Sequence, residues 1–319
     1  MGIISIENLT KVYGDVPAVN DISFSVDQGE VFGFLGPNGA GKTSTINMMI
    51  GLSRPSGGKI LIDGLDAVKK IKAVQKIIGV VPDENNLYDE MSGFDNLCFC
   101  GSLYGMRRAE RERRAAELLE LFNLTEAADR PFKAYSKGMK RKLTIAAGII
   151  HRPKILFLDE PTTGVDVESA RQIRELILDL KQQGTTIFIT THYLEEAERI
   201  CDRIAFIVRG KIVRIGAVGE LMEELRREYK VRLQTNGLIG NLKPELENSV
   251  PNCRVEIVDD KSCLIVSNER IDLCPVLQLF AFRDITVYEA EVVKPTLEEV
   301  FINITNAAGK EFADGKVNQ

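Results

Sequence analysis

Val31-Phe32-Gly33-Phe34-Leu35 runs without a break into Gly36-Pro37-Asn38-Gly39-Ala40-Gly41-Lys42-Thr43-Ser44, with a helical pattern from about Thr43. A short apolar run closed by glycines reads as a buried strand that enters a tight turn. The turn fits G-x-x-x-x-G-K-[ST], a pattern that cradles phosphate. Glycines let several backbone N–H groups face one anion, and the following helix adds its positive end. On this reading Gly36 to Ser44 surround phosphates, Lys42 reaches the β- and γ-phosphates, and the Thr43 hydroxyl ligates Mg²⁺. The rival glycine-rich reading, a dinucleotide fingerprint, fails because Lys42-Thr43 follows directly and no G-x-G-x-x-G fits.

A second apolar strand, Ile155-Leu156-Phe157-Leu158, ends in Asp159-Glu160. Proteins with a phosphate loop hold Mg²⁺ at such a strand end, directly or through water, and Asp159 takes that part. Glu160 is then placed to orient and polarise an attacking water as general base. Adjacent acids at a strand end are common on surfaces. It is the phosphate loop upstream that gives this pair its meaning.

Ser136-Lys137-Gly138-Met139-Lys140 precedes a helical run. A serine hydroxyl and free N–H groups at a helix start suit a γ-phosphate. With Tyr135 before it, the stretch resembles the signature motif of the ABC (ATP-binding cassette) family, usually Leu-Ser-Gly-Gly-Gln. Ser136 and Gly138 match, while Lys137 and Met139 depart from the usual form. Further matches fall in the family's order. Tyr13 resembles the aromatic that stacks on adenine, Thr163-Gly164-Val165-Asp166 the D-loop, and His192 the switch histidine that contacts the γ-phosphate. One position differs: in Pro82-Asp83-Glu84-Asn85, Asp83 stands where the family usually has glutamine. A carboxylate remains an acceptable Mg²⁺ ligand there, but it adds negative charge near the phosphates.

The resemblance spans about residues 3–216. It implies a P-loop NTPase fold of α/β class, an ABC cassette with a helical insert. It also implies Mg²⁺-dependent ATP hydrolysis by Glu160, His192 and Lys42, with Thr43, Asp83 and Asp159 as metal ligands. Ser136 and Gly138 would complete the site of a second cassette in trans, in a homodimer or with a different cassette, and Asp166 would join the nucleotide site through the D-loop. An integral membrane permease is the implied partner. Lys294-Pro295-Thr296-Leu297-Glu298-Glu299-Val300-Phe301 is similar to the tail of cassettes serving ABC-2 type exporters. Two alternatives are a soluble family member acting on ribosomes or DNA, and a regulatory module timed by hydrolysis. The former usually carries two cassettes or a long coiled coil.

The 319 residues allow about two domains. A net charge of −5 argues against bulk nucleic-acid binding. No run approaches the roughly 20 apolar residues of a membrane span, and the N-terminus lacks a basic leader. The six cysteines form no CxxC pair, which suits reduced thiols. The expectation is a cytoplasmic chain, peripheral on the membrane through its permease.

Strands are expected at Ile3–Leu9, Ala18–Val26, Lys59–Ile62, Ile77–Val81 and Thr186–Thr190, in a largely parallel sheet. A helical insert is expected from about residue 85 to 151, with Arg107–Glu117 as a solvated face. Asp166–Gln183 reads as a long helix stopped by Gly184, and Arg209-Gly210 as the turn of a closing hairpin. The cassette should end near residue 218. Residues 219–306 read as a small α+β domain, strand-helix-strand-strand-helix-strand, which fits a ferredoxin-like module. Thr296–Thr305 should form a last helix, and residues 307–319 a flexible tail.

Overall fold

The computed structural model describes residues 2–84, 86–224, 228–250, 252–293, 296–302 and 304. From the N-terminus come β1 (Ile4–Tyr13), β2 (Val16–Val26), β3 (Val31–Leu35), α1 (Lys42–Met49), β4 (Gly57–Ile62) and β5 (Leu65–Asp66). After α2 (Ile71–Gln75) and β6 (Ile78–Val81) the strands stop, and α3 (Gly93–Leu103), α4 (Arg108–Leu121) and α5 (Lys137–Gly148) follow. The pattern resumes with β7 (Ile155–Asp159), α6 (Val167–Gln182), β8 (Thr186–Thr191), α7 (Leu194–Ile200), β9 (Arg203–Val208) and β10 (Lys211–Ala217).

The expected single, largely parallel sheet is corrected to two. β2-β1-β4-β5 form an antiparallel sheet of their own. The other sheet has the order β10-β9-β3-β8-β7-β6, parallel throughout except for the edge strand β10. The opening strands alternate in burial, as a sheet with one open face requires, whereas β3, β7 and β8 are buried at every residue. The period-2 geometry of a strand divides their side chains between two cores. Phe32, Phe34, Phe157 and Phe188 join the antiparallel sheet and α1 in one. Val31, Leu156, Leu158, Ile187 and Ile189 join the helical insert and α6 in the other.

Local signals act as the residues dictate. The Asp166 carboxylate caps α6 by accepting from the Ser169 amide at 2.9 Å, and Gly184 ends that segment with φ +91°. The charged run in α4 is solvated, while Leu118, Leu119 and Phe122 are buried beneath it.

The chain divides into two compact units, the second spanning Gly219–Ile302. After α8 (Val218–Glu224) this unit contains β11 (Tyr229–Thr235), α9 (Lys243–Ser249), β12 (Cys253–Asp259), β13 (Ser262–Ser267), α10 (Cys274–Phe282) and β14 (Val287–Val293). Its sheet is antiparallel in the order β12-β13-β11-β14, and Leu233, Leu246, Ile265 and Phe280 fill its core. Residues 297–302 and 304 are helical and Thr296 stands just before them, while residues 303 and 305 and the tail at 307–319 lie outside the described residues. Among the described residues no helix is long and apolar enough to cross a membrane.

Candidate active site

Four neighbouring parallel strands deliver the site residues to one edge. Leu35 pairs with Thr191, Thr190 with Asp159, and Leu158 with Val81, so the loops after β3, β8, β7 and β6 leave the sheet side by side. Carboxyl ends of parallel strands are where α/β sheets place ligands.

The loop after β3 is built around close approaches. A Cβ on Gly36 would lie 2.2 Å from the Ile207 carbonyl oxygen, and one on Gly41 2.4 Å from that of Ala18. Gly41, at φ +107°, is also the N-cap of α1, and no side chain caps that helix. The first-turn N–H groups of α1 therefore remain suited to an anion. Lys42 is buried, and its Nζ donates to the carbonyls of Gly36 (2.7 Å) and Pro37 (3.4 Å). The ammonium thus lies inside the loop, between its backbone and Glu160, whose Oε1 is 3.5 Å away. Tyr13, half exposed, sets its hydroxyl 3.5 Å from Ser53 Oγ. The Ser53 contact lowers the phenol's pKa against a smaller effect of burial, and Ser44 at the head of α1 pulls the same way.

The Thr43 hydroxyl donates to Asp159 Oδ2 at 3.2 Å, and Thr190 donates to the other carboxylate oxygen. This all-oxygen pair beside a phosphate loop fits Mg²⁺, which binds one or two protein oxygens and completes its shell with phosphate and water. Asp83 follows β6 and has no hydrogen bond to Thr43 or Asp159 among the described residues. Burial first, and then the Asp159 charge, raise its carboxyl above the usual range, while Arg141 opposes the rise. Asp83 therefore joins the same electrostatic field without a direct contact to the metal pair.

Glu160 turns the chain out of β7 at φ +49°, a left-handed conformation that costs a non-glycine residue about 1–3 kcal/mol. The turn is held by its amide, which donates to the Thr190 carbonyl at 3.0 Å. It aims the carboxylate at three partners. His192 Nδ1 lies 2.8 Å from Oε2, the Thr163 hydroxyl donates to the same oxygen at 3.3 Å, and Lys42 faces Oε1. With a proton on Nδ1 the ring donates to this carboxylate oxygen. The group can hold a water and take its proton while Lys42 faces developing phosphate charge.

Ser136 and Gly138 open α5 and Asp166 caps α6, and none of them bonds to Lys42, Glu160 or His192 among the described residues. Ser136 caps α5 by accepting from the Met139 amide at 3.2 Å. A Cβ on Gly138 would meet Ser169 Oγ at 2.1 Å, so α5 and the start of α6 pack in close contact only because Gly138 lacks one. The Asp166 carboxylate is engaged by Ser169.

The family model for the ABC transporter matches residues 19–163. Over 305 residues the chain is 35% identical to the linearmycin resistance ATP-binding protein LnrL of Bacillus subtilis (strain 168), covering 95% of this chain and 98% of LnrL. The chain belongs to the ABC transporter ATP-binding family. This cassette is also 34% identical to the doxorubicin resistance ATP-binding protein DrrA of Mycobacterium tuberculosis (strain CDC 1551 / Oshkosh), over 95% and 93% of the two chains. Among solved structures, a dimeric bacterial ABC transporter cassette is 25% identical with a TM-score of 0.63, over 67% of this chain and 98% of that one. The cassette is accordingly an ATPase and the ATP-binding subunit of an ABC transporter.

Sequence reasoning missed two buried charges in the cassette. Arg141 stands on α5 in the buried series Gly138, Arg141, Ile145, Gly148, and a cation on such a stripe was the available signal. Glu196, on α7, was hidden in an ordinary amphipathic run. Its Oε2 accepts from the hydroxyls of Thr162 (2.9 Å) and Thr191 (3.2 Å), tying the segment after Glu160 to the strand before His192. Burial raises its pKa, and the two hydroxyls only partly offset this. A folded-state pKa above the unfolded value gives stability that is full below the ordinary carboxylate range and lost as pH rises through the raised value. Glu196→Gln, which cannot ionise, should therefore gain melting temperature relative to the parent as pH rises from the ordinary carboxylate range through the raised value. Thermal melts of both chains across that range test this, and parallel curves would refute it.

Proposed function

We propose that this cassette drives export as a symmetric pair, two copies closing head to tail around two ATP molecules and powering a separate membrane permease from its cytoplasmic face. The observation that carries the reading is the Lys42–Glu160–His192 group beside Thr43–Asp159, with Ser136 at the start of α5 on the same chain. One chain supplying both a hydrolytic half and a signature half suits an isologous dimer with two equal sites. The relatives named for linearmycin and doxorubicin resistance favour efflux.

In this mechanism the loop amides and Lys42 hold the triphosphate, and Tyr13 stacks on the adenine. When bound at Thr43 and Asp159, Mg²⁺ neutralises phosphate charge. Glu160 orients the water and accepts its proton, with His192 and Thr163 fixing the carboxylate that does so. Serine and free amides at the start of the partner's α5 complete the cage. Asp83, at the head of the helical insert, carries the state of the site toward the permease.

The residues up to 218 form the cassette in this proposal, and residues 219–306 a ferredoxin-like domain. The chain order βαββαβ supports the latter, as does a sheet that sets the fourth strand beside the first and the third between first and second.

Light scattering on Glu160→Gln, with and without MgATP, tests the pair. A dimer that forms only with MgATP is the expected result, because the amide cannot take the water's proton and the closed state accumulates. A monomer under both conditions would overturn the symmetric arrangement.

A further inference from the structure

The helix that begins at the signature serine is tied to the catalytic edge of its own chain by one buried side chain. Arg141 is 3% exposed and lies one turn beyond Ser136 on α5. Its guanidinium meets four backbone carbonyls. Nε donates to Pro161 at 2.8 Å, one terminal nitrogen to Asp159 at 2.6 Å, and the other to Pro82 and, at 3.2 Å, to Asp83. Two of these carbonyls bracket Glu160, and the other two belong to the segment that carries Asp83. A planar fork with fixed donor directions can hold two loops at one spacing, which a flexible ammonium cannot.

A charge in this position needs a reason. Burial lowers the Arg141 pKa, and the nearby carboxylates, Asp83 first and then Asp159, Glu196 and Glu160, oppose that. The cation therefore balances a cluster of acids, including the one that replaces the family's usual glutamine. The helix hydrogen bonds of α5 make the element rigid between Ser136 and Arg141, so a shift at the serine is delivered to both loops.

We infer that Arg141 is a positioning residue that couples the signature serine of a chain to the Glu160 turn and the Asp83 loop of that same chain. The inference deepens the shared-site reading and rests on it for one consequence. There Ser136 touches the nucleotide of the partner's site while Glu160 serves its own, so Arg141 links the two sites across the body of each subunit. A closing movement at one γ-phosphate sets the geometry of the base at the other.

The test uses the full chain carrying Arg141→Gln or Arg141→Lys, with trinitrophenyl-ATP as binding probe and steady-state Mg-ATPase as readout. Misplacing a catalytic group by about 1 Å costs up to about 100-fold in rate. The expected result for Arg141→Gln is a kcat at least about tenfold lower, with probe affinity within about twofold of the parent. Arg141→Lys keeps the charge but reaches fewer carbonyls, so its kcat should fall between the two, again with affinity kept. Unchanged kcat in both variants would overturn the assignment. So would a loss of probe affinity and melting temperature in step with kcat, which would make Arg141 a packing residue. If Arg141→Gln does not fold, Arg141→Lys decides on the same split. Failure of Glu160→Gln to dimerise counts against the shared sites alone, because the split between kcat and affinity is read within one chain.

Discussion

Lys42→Ala is expected to hydrolyse ATP about 10²–10³-fold more slowly than the parent, the loss seen when one preorganised charge stabiliser is removed. The ammonium sits inside the loop on the Gly36 carbonyl, 3.5 Å from Glu160. In the proposed mechanism it faces both the transferred phosphoryl group and the carboxylate that activates water. Removing it leaves Glu160 without the cation 3.5 Å from its Oε1, and a bound triphosphate without the ammonium inside the loop. Phosphoryl transfer spreads charge over equatorial oxygens, so this loss falls on the transition state as well as on binding. Both kcat and nucleotide affinity should drop, while the fold, which rests on β3 and α1 packing, should persist. Phosphate-release kinetics and a thermal melt on the same sample check it. Retention of more than about a tenth of the parent rate would remove Lys42 from the catalytic role.

Phe188→Ala should be the most destabilising single truncation in the cassette, at about 3–5 kcal/mol. Phe188 is fully buried, and its ring stands 5.6–6.1 Å, centroid to centroid, from Phe24, Phe32, Phe34 and Phe157. Those rings come from both sheets, so the cavity would open where the antiparallel sheet meets the parallel one. Neighbours fixed in strands cannot collapse into the space, which keeps the cost near the upper end. Because β8 also sets Thr190 and the approach to His192, nucleotide binding should weaken together with stability. Denaturant unfolding gives the number. A loss below about 1 kcal/mol would mean the aromatic cluster is far softer than its packing indicates.

Much of the cassette was legible because its chemistry is local. A strand entering a glycine loop, a strand ending in two acids, and a serine before a helix each declare themselves within ten residues. Asp166 and Gly184 mark the ends of α6 for the same reason, since a cap acts on its own first or last turn. Chain order was enough to read the C-terminal elements, because alternation and turn residues repeat at strand spacing. What the sequence could not supply was pairing between distant strands. Ile4, Phe24 and Ile62 look like strand residues in any sheet, and only register shows that they make an antiparallel sheet apart from β3.

The site divides in the same way. By itself the sequence singled out residues of suitable chemistry: Lys42 and Thr43 were expected for phosphate and metal, Asp159 and Glu160 for metal and water, and His192, by resemblance, for the γ-phosphate. Tertiary structure alone decided which groups meet. It set His192 Nδ1 against the Glu160 carboxylate, left Asp83 in the field of Asp159 without a bond to it, and hid Arg141 and Glu196 beneath the loops. The physical reason is that a motif is written in covalent neighbours. A pKa, a tautomer or a buried ion is fixed instead by groups that are neighbours only after the sheet has formed.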